Sequence, residues 1–369
     1  MDESGSTKLP TIRDVALSAG VSLGTASKAL NGQGQLRPET VDRVRQAAER
    51  LNFRPNSMAQ SLHRANSLTV GVISTDSFGR FSMPVMEGIE DVLGSAQRSV
   101  FMCNAADDPV REKMHIDALL ARRVDGIVVT GRRTDARPPL DLGKSVLPVV
   151  YAYTQVARRK GPGPQPFSLL PDDFGGGEQA TRHLLSLGRH RVVHITGPEK
   201  FEAVRLRARG YTVALVQGGS PVAPSQVLHG AWSEAWGREA VAGLFASSGS
   251  ARASPPDALF CGSDQIARGV LEALRDLDVR VPEDVAVVGY DNWDVFTEAT
   301  RPTLTSVDMN LRDLGRQAGQ RLLDLIGGGL GSDPGGPVRL PTRLVVRQSC
   351  GSQRADASTV SRAKRRPPG

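Results

Sequence analysis

The sequence predicts an all-α helix-turn-helix headpiece followed by an α/β core of two lobes built on parallel sheets, and three observations carry that expectation. The first is the stretch TIRDVALSAGVSLGTASKALN, Thr11 to Asn31, where two short runs with helical apolar spacing flank a turn at Gly20. The second is a change of texture at Leu68, where short apolar runs begin to alternate with helical stretches, the rhythm of βαβ units. The third is a basic interruption rich in Pro and Gly, ARRKGPGPQP, after which the same rhythm resumes.

Taken in order, Thr11 sits where a hydroxyl can cap a first helix whose Ile12, Val15, Ala16 and Ala19 share one face, and Gly20 ends it. Ser22 is placed to cap a second helix that buries Ala26, Ala29 and Leu30 and turns Leu23, Gly24, Ser27 and Lys28 outward. In a helix-turn-helix this second helix enters the DNA major groove, where all four base pairs differ in donors, acceptors and methyl groups. After the loop NGQGQ, Pro38 opens a third helix, PETVDRVRQAAERLNF, with Val41, Val44, Ala48 and Leu51 on one face. Arg54-Pro55-Asn56 then breaks the chain, and SMAQSLH, Ser57 to His63, is helix-sized but too short to be stable without a partner.

In the core, LTVGVIS, PVMEGIEDVLGSAQ, SVFMCNA, EKMHIDALLARR, DGIVVTG and LPVVYAY make one α/β series. A second runs from FSLLPDD and GGEQATRHLLSLG through RVVHITG, RLRARGYTVALVQ, GREAVAGLFA, DALFCGSD and IARGVLEALRDLD to VAVVGYD. Leu311 to Leu325 reads as a helix and VRLPTRLVVRQS as closing strands, while the polar tail beyond Cys350 is expected to be disordered and takes no role.

Composition narrows the function. A chain of 369 residues suits two or three compact units, and with 39% hydrophobic and 23% charged residues it reads as soluble and globular. It lacks an apolar run near the ~20 residues that span a bilayer, so no membrane partner is expected. The polar, acidic start MDESGSTKLP has no apolar signal core, so the protein is expected in the cytoplasm. Cys103, Cys261 and Cys350 lie too far apart for metal-ligand spacing and the six histidines do not cluster, so neither a metal nor a cofactor is expected. An enzyme is disfavoured too: Phe174-Gly175-Gly176-Gly177-Glu178 is not a GxxxxGK[ST] loop, and GxSxG is absent. Between Lys8 and Arg64 nine bases face four acids, a locally basic segment suited to nucleic acid within a chain of net charge +7.

Together, TIRDVALSAGVSLGTASKALN, PETVDRVRQAAERLNFRPN, MAQSL, HLLSLGRHRVVHITGP and VPEDVAVVGYDN resemble the lactose-repressor/galactose-repressor (LacI/GalR) family of bacterial transcription factors, over roughly Leu9 to Ser349. The resemblance implies a DNA-binding headpiece at 9–55, a hinge helix and linker at 56–66, and an effector-binding core at 67–349, leaving 350–369 as a basic tail. The core would hold two periplasmic-binding-protein-like subdomains joined by three crossings, an N-subdomain near 67–152 and 293–325 and a C-subdomain near 153–290 and 330–349. It also implies a homodimer or dimer of dimers on an inverted-repeat operator, most commonly acting as a repressor.

Family positions for base reading match Leu23, Gly24 and Lys28; Thr25 and Ser27 offer hydroxyls to phosphates, and Thr11, Ser22 and Asn31 complete the DNA-facing set. At the hinge, Leu62 matches the minor-groove wedge, with Ala59 for close helix pairing and Asn56 beside it. Phe81, Arg207, Trp232, Ser263 and Asp291 match positions that line the effector cleft. Asp291 and Arg207 would supply an acceptor and a donor, and Trp232 a flat apolar face, so a small, neutral, hydroxyl-rich effector such as a sugar or sugar derivative is expected. Phe201 and Ala203 stand where purine-binding members carry polar readers, and Met309 replaces a frequent polar contact, which disfavours a purine. The alternative is the solute-binding protein of a transporter, which shares the two lobes but has no use for the headpiece.

Overall fold

A computed structural model describes residues 10–54, 67–158, 165–220, 223–246, 255–329 and 335–351. The chain divides at Leu68 into two units. In the first, α1 (Ile12–Ser18), α2 (Leu23–Leu30) and α3 (Pro38–Arg50) enclose a small core of Val15, Ala16, Ala19, Ala26, Ala29, Val44, Ala47 and Ala48. Thr11 is the N-cap of α1 and forms a capping box with Asp14, with Thr11 N and Oγ1 both donating to Asp14 Oδ2 at 2.7 Å. Gly20, at φ +63°, takes the left-handed conformation that ends the helix, and Val21 N closes the turn on Ala16 O at 3.0 Å.

The second unit begins with β1 (Thr69–Ser74), α4 (Ser82–Ser95), β2 (Ser99–Asn104), α5 (Pro109–Ala121) and β3 (Gly126–Thr130). There follow β4 (Ala136–Arg137), β5 (Val149–Ala152), β6 (Gln155–Val156), β7 (Phe167–Pro171), α6 (Asp173–Ser186), β8 (Val192–Thr196) and α7 (Glu202–Gln217). Next come β9 (Val227–His229), α8 (Glu234–Ala246), β10 (Ala258–Cys261), α9 (Asp264–Asp276), β11 (Ala286–Asp291) and α10 (Asp294–Thr297). The unit ends with β12 (Thr305–Asp308), α11 (Leu311–Ile326), β13 (Val338–Leu340) and β14 (Arg343–Val345). One sheet runs β13-β7-β5-β3-β1-β2, all parallel; the other runs β14-β12-β11-β10-β8-β9, with β14 alone antiparallel. Their strands are near-continuous apolar runs because helices cover both faces.

The lobe boundaries expected at 153 and 293 are corrected by strand pairing. FSLLP, β7, pairs with β5 of the first sheet (Val150 opposite Phe167), so the Pro/Gly-rich interruption is a connection between neighbouring strands and not a break between lobes. Likewise β12 pairs with β11 of the second sheet, and only the helix after it, α11, returns to pack on α4 and β5 of the first lobe. The chain therefore crosses between lobes after β7, after β12 and after β13.

The glycines of Phe174-Gly175-Gly176-Gly177 lie inside α6, where they let helices meet. A Cβ on Gly177 would stand 2.3 Å from Arg207 O, and one on Gly210 of α7 2.1 Å from Phe174 O. Gly177→Ala should therefore cost about 1–3 kcal/mol through overpacking, read as a lowered urea midpoint at unchanged slope. A variant as stable as the parent would mean that α6 and α7 are not in contact.

Candidate nucleic-acid interface and interlobe cleft

In the first unit, α2 meets the expectation in part, with Ser27 and Leu30 both half-buried. Ala26 and Ala29 are buried, while Leu23 is 47% exposed and Gly24 and Lys28 are exposed. The hydroxyls are less available than expected: Ser22 Oγ accepts from Thr25 N at 3.1 Å and bonds Thr25 Oγ1 at 2.9 Å, and Ser27 Oγ accepts from Asn31 Nδ2 at 3.3 Å. Arg13, Arg37, Arg43, Arg45, Arg50 and Arg54 are all exposed, so with Lys28 the exposed bases of this small unit outnumber its exposed acids Asp14, Glu39, Asp42 and Glu49. Its Lys28 ammonium can donate to a guanine edge and its Leu23 side chain can meet a thymine methyl. Leu17 was not anticipated; it is 74% exposed in the last turn of α1, off that helix's apolar face. Asn56, Ala59 and Leu62 lie outside the described residues.

In the second unit the lobes meet at the carboxyl ends of their strands, where open α/β sheets hold ligands. Asp291 ends β11 at φ +104°, a conformation that strains a non-glycine residue by about 1–3 kcal/mol. The turn is pinned there by Asn292 N donating to Ser306 Oγ at 3.0 Å and Trp293 N donating to Asp264 Oδ2 at 2.7 Å. From the first lobe, Arg80 in the β1–α4 connection pairs through Nη2 with Asp291 Oδ2. Its guanidinium lies 4.6 Å from the Trp293 ring centre and 4.9 Å from that of Phe81. Phe81 in turn stacks on Tyr153 at 4.9 Å, and Asp76 holds the loop by accepting from Phe81 N and Ser82 N at 2.8 and 3.1 Å.

Arg207, on α7, is buried beside this group. Its Nε donates to Asp173 Oδ1 at 2.8 Å, its Nη1 to Gly262 O at 2.6 Å and its Nη2 to Met309 Sδ at 3.8 Å. The guanidinium sits 3.6 Å from the Tyr290 ring centre, and Nη1 is 3.9 Å from Asp291 Oδ1. Burial works against its charge, but Asp173, Tyr290 and Asp291 outweigh burial and raise its pKa further. Burial raises the carboxyl of Asp291, with Arg80 and Arg207 opposing. Burial and the nearby Asp291 charge push Asp264 well above the usual carboxylate range, although Ser306 donates to it at 2.6 Å.

Of the five expected cleft residues, Phe81, Arg207 and Asp291 come together. Ser263 follows Gly262, whose carbonyl accepts from Arg207, but spends its hydroxyl as the N-cap of α9, accepting from Ile266 N at 3.2 Å. Trp232 is half-buried, its ring packed over Gly197 just beyond the carboxyl end of β8, where a Cβ would come within 2.3 Å. Arg80, Tyr153, Asp173 and Tyr290 were missed; Tyr153, Tyr290 and Asp173 stand in or at the ends of the runs LPVVYAY, VAVVGYD and FSLLPDD, where nothing local marks them as cleft residues. Next to the group, a cavity of about 470 Å³ opens at the ends of β1, β3 and β5, with Thr75, Thr130 and Thr154 in its wall beside Asp107, Arg133 and Asp135. At its rim Asp135 accepts from Glu202 N at 3.0 Å and the Arg133 guanidinium lies 5.5 Å from the Phe201 ring centre, two further contacts between lobes.

Among the described residues no helix is long and apolar enough to cross a membrane, and no cluster of His, Cys, Asp and Glu could hold a metal ion. Residues 11–56 match the profile of bacterial regulatory proteins of the lacI family, and 181–350 that of a periplasmic binding protein-like domain. The chain is 32% identical over 321 residues to the HTH-type transcriptional repressor PurR of Haemophilus influenzae, covering 86% of this chain and 91% of that one. Its fold overlays the lac repressor dimer bound to operator and an anti-inducer with a TM-score of 0.73 at 26% identity, covering 93% and 99% of the two chains. A complex of the transcriptional regulator CelR with cellobiose overlays with a TM-score of 0.62 at 28% identity, covering 92% and 99%.

Proposed function

The chain belongs to the LacI family of bacterial regulatory proteins and is a DNA-binding transcriptional regulator, and from that premise we propose that it is an operator-binding repressor controlled by a sugar or sugar derivative held between its lobes. The observation that carries the effector site is Asp291, a strained acidic residue at a strand end, facing Arg207 and paired with Arg80, whose guanidinium lies over the rings of Phe81 and Trp293. Arg80 pairs with Asp291 and Arg207 with Asp173, and burial disfavours any further unpaired charge there, as the raised carboxyl of Asp264 reflects. The balance favours a neutral, hydroxyl-rich molecule, since an ion would enter a buried site without compensation. Cellobiose in the CelR complex is a ligand of that kind. Screening sugars, purines and phosphorylated metabolites by calorimetry tests the class; a protein that binds only the latter two would overturn it.

For the DNA end we assign Lys28 and Leu23 to the bases, the exposed arginines and Thr11, Ser22, Thr25, Ser27 and Asn31 to phosphates and support, and Leu62, with Ala59 and Asn56, to a hinge that wedges the minor groove. The protein would act in the cytoplasm, on the nucleoid. A second copy of the chain is the proposed partner. Edge strand β2 exposes Phe101 and Met102 at 47% and 40%, on opposite faces of an otherwise unpaired edge, and the lac repressor assembles as a dimer.

Binding to a selected operator should weaken steeply with salt, log K falling by about 0.9 per phosphate neutralised for each tenfold rise. Lys28→Ala should cost about 1–3 kcal/mol on the operator and far less on random duplex. Equal losses on both duplexes, by fluorescence anisotropy, would move Lys28 from the bases to the backbone.

A further inference from the structure

Arg80 reaches Asp291 across 211 positions of sequence and from the opposite lobe. Its side chain is 15% exposed and that of Asp291 6%, so the pair is largely shielded from water. The guanidinium has the ring of Trp293 at 4.6 Å, that of Phe81 at 4.9 Å and a carboxylate at its end. A carboxylate with two aromatic rings is a setting that captures guanidinium and ammonium groups. Here the captured group belongs to the protein's own loop, and Arg80 Nε still has no hydrogen-bond partner among the described residues.

With Arg80 on Oδ2 and Arg207 near Oδ1, both oxygens of Asp291 already face cations. Of the two only Arg80 makes a hydrogen bond to it, and because the pair is so little exposed, a molecule that reaches Asp291 Oδ2 from the cleft competes with that side chain for it. We propose that Arg80 is a tethered occupant of the subsite formed by Asp291, Phe81 and Trp293, and that effector binding is an exchange in which a donor group and flat face of the effector replace its guanidinium. The proposal rests on the cleft reading above and adds to it a competitor. Tethering gives that competitor an effective concentration on the order of millimolar, so it sets a threshold for effector affinity. It also selects chemistry: the incoming group must donate to Asp291 and cover two rings, which suits hydroxyls or amines on a ring and excludes a bare carboxylate or phosphate. When Arg80 leaves, one tie between the lobes leaves with it.

The test uses the whole chain with Trp232→Phe and Trp236→Phe, so that Trp293 alone reports, and methylguanidinium chloride as the probe, with sodium chloride at equal ionic strength as control. Arg80→Ala should shift the Trp293 emission, and methylguanidinium should restore it saturably in the millimolar range. The protein retaining Arg80 should respond at least about tenfold more weakly, as should Arg80→Lys, which keeps a tethered cation. Adding Asp291→Asn to Arg80→Ala should abolish the restoration. Circular dichroism and gel filtration check folding, and if Arg80→Ala does not fold, Arg80→Gln carries the same expectation. Equal saturable responses with and without Arg80, no saturable response once Arg80 is removed, or a response that survives Asp291→Asn would each overturn the proposal. Because the probe needs no effector, those results bear on the exchange alone; the cleft reading itself stands or falls with sugar binding to Asp291→Asn.

Discussion

Asp291→Asn is expected to abolish the response of operator binding to the effector while leaving operator affinity measured without effector within about threefold. The substitution keeps the shape of the side chain but removes the charge that a sugar hydroxyl would donate to, and hydrogen bonds to charged groups contribute about 1.5–3 kcal/mol. Effector affinity should therefore fall by about tenfold or more. Asp291 and the exposed face of α2 belong to different units of the chain, so the base contacts have no direct reason to change. Calorimetry with a sugar that binds the parent protein, beside anisotropy on operator, reads both quantities. Unchanged sugar affinity in Asp291→Asn would remove Asp291 from the site.

Arg207→Met should destabilise the core by about 3–5 kcal/mol, the usual result of removing one partner of a buried ion pair. Asp173 is fully buried with Arg207 Nε at 2.8 Å, its Oδ2 has no hydrogen-bond partner among the described residues, and Gly262 O would lose its 2.6 Å donor. Combining Arg207→Met with Asp173→Asn should recover part of the loss, because the second change discharges the orphaned carboxylate. Urea unfolding of the two singles and the double measures this coupling. A loss below about 1 kcal/mol in Arg207→Met would mean that water reaches the pair. Arg207 therefore acts first as the strut that fixes Asp173 and Tyr290 beneath the cleft, and its reach toward Asp291 follows from that position.

Much of this was legible in the chain. Two caps, a left-handed glycine and apolar spacing are local signals, and they located the headpiece helices and the outward face of α2. Alternating apolar and helical runs gave two parallel sheets, but not the partition of β7 and β12, because a strand's sheet is decided by which distant edge it pairs with. The Pro/Gly-rich basic stretch looked like a boundary only because loops and linkers share a composition. The triple glycine raised the question of a phosphate loop, since spacing alone cannot tell a backbone cradle from a helix that must approach its neighbour. Phe81, Arg207 and Asp291 were reached through family resemblance. Arg80 was not, because an arginine in SFGRFS carries no local sign of a partner 211 residues away.

The central claim, that a cleft ligand and an operator are coupled through one chain, is tested most directly by the affinity of the protein for a duplex selected from a random pool, measured across a panel of sugars. The account predicts an inverted-repeat duplex, and at least one sugar that changes the dissociation constant by a factor that reappears as the shift in that sugar's own affinity when operator is bound. A selected duplex with a single unrepeated half-site, or an operator affinity that no sugar moves while a purine or a phosphorylated metabolite does, would contradict it.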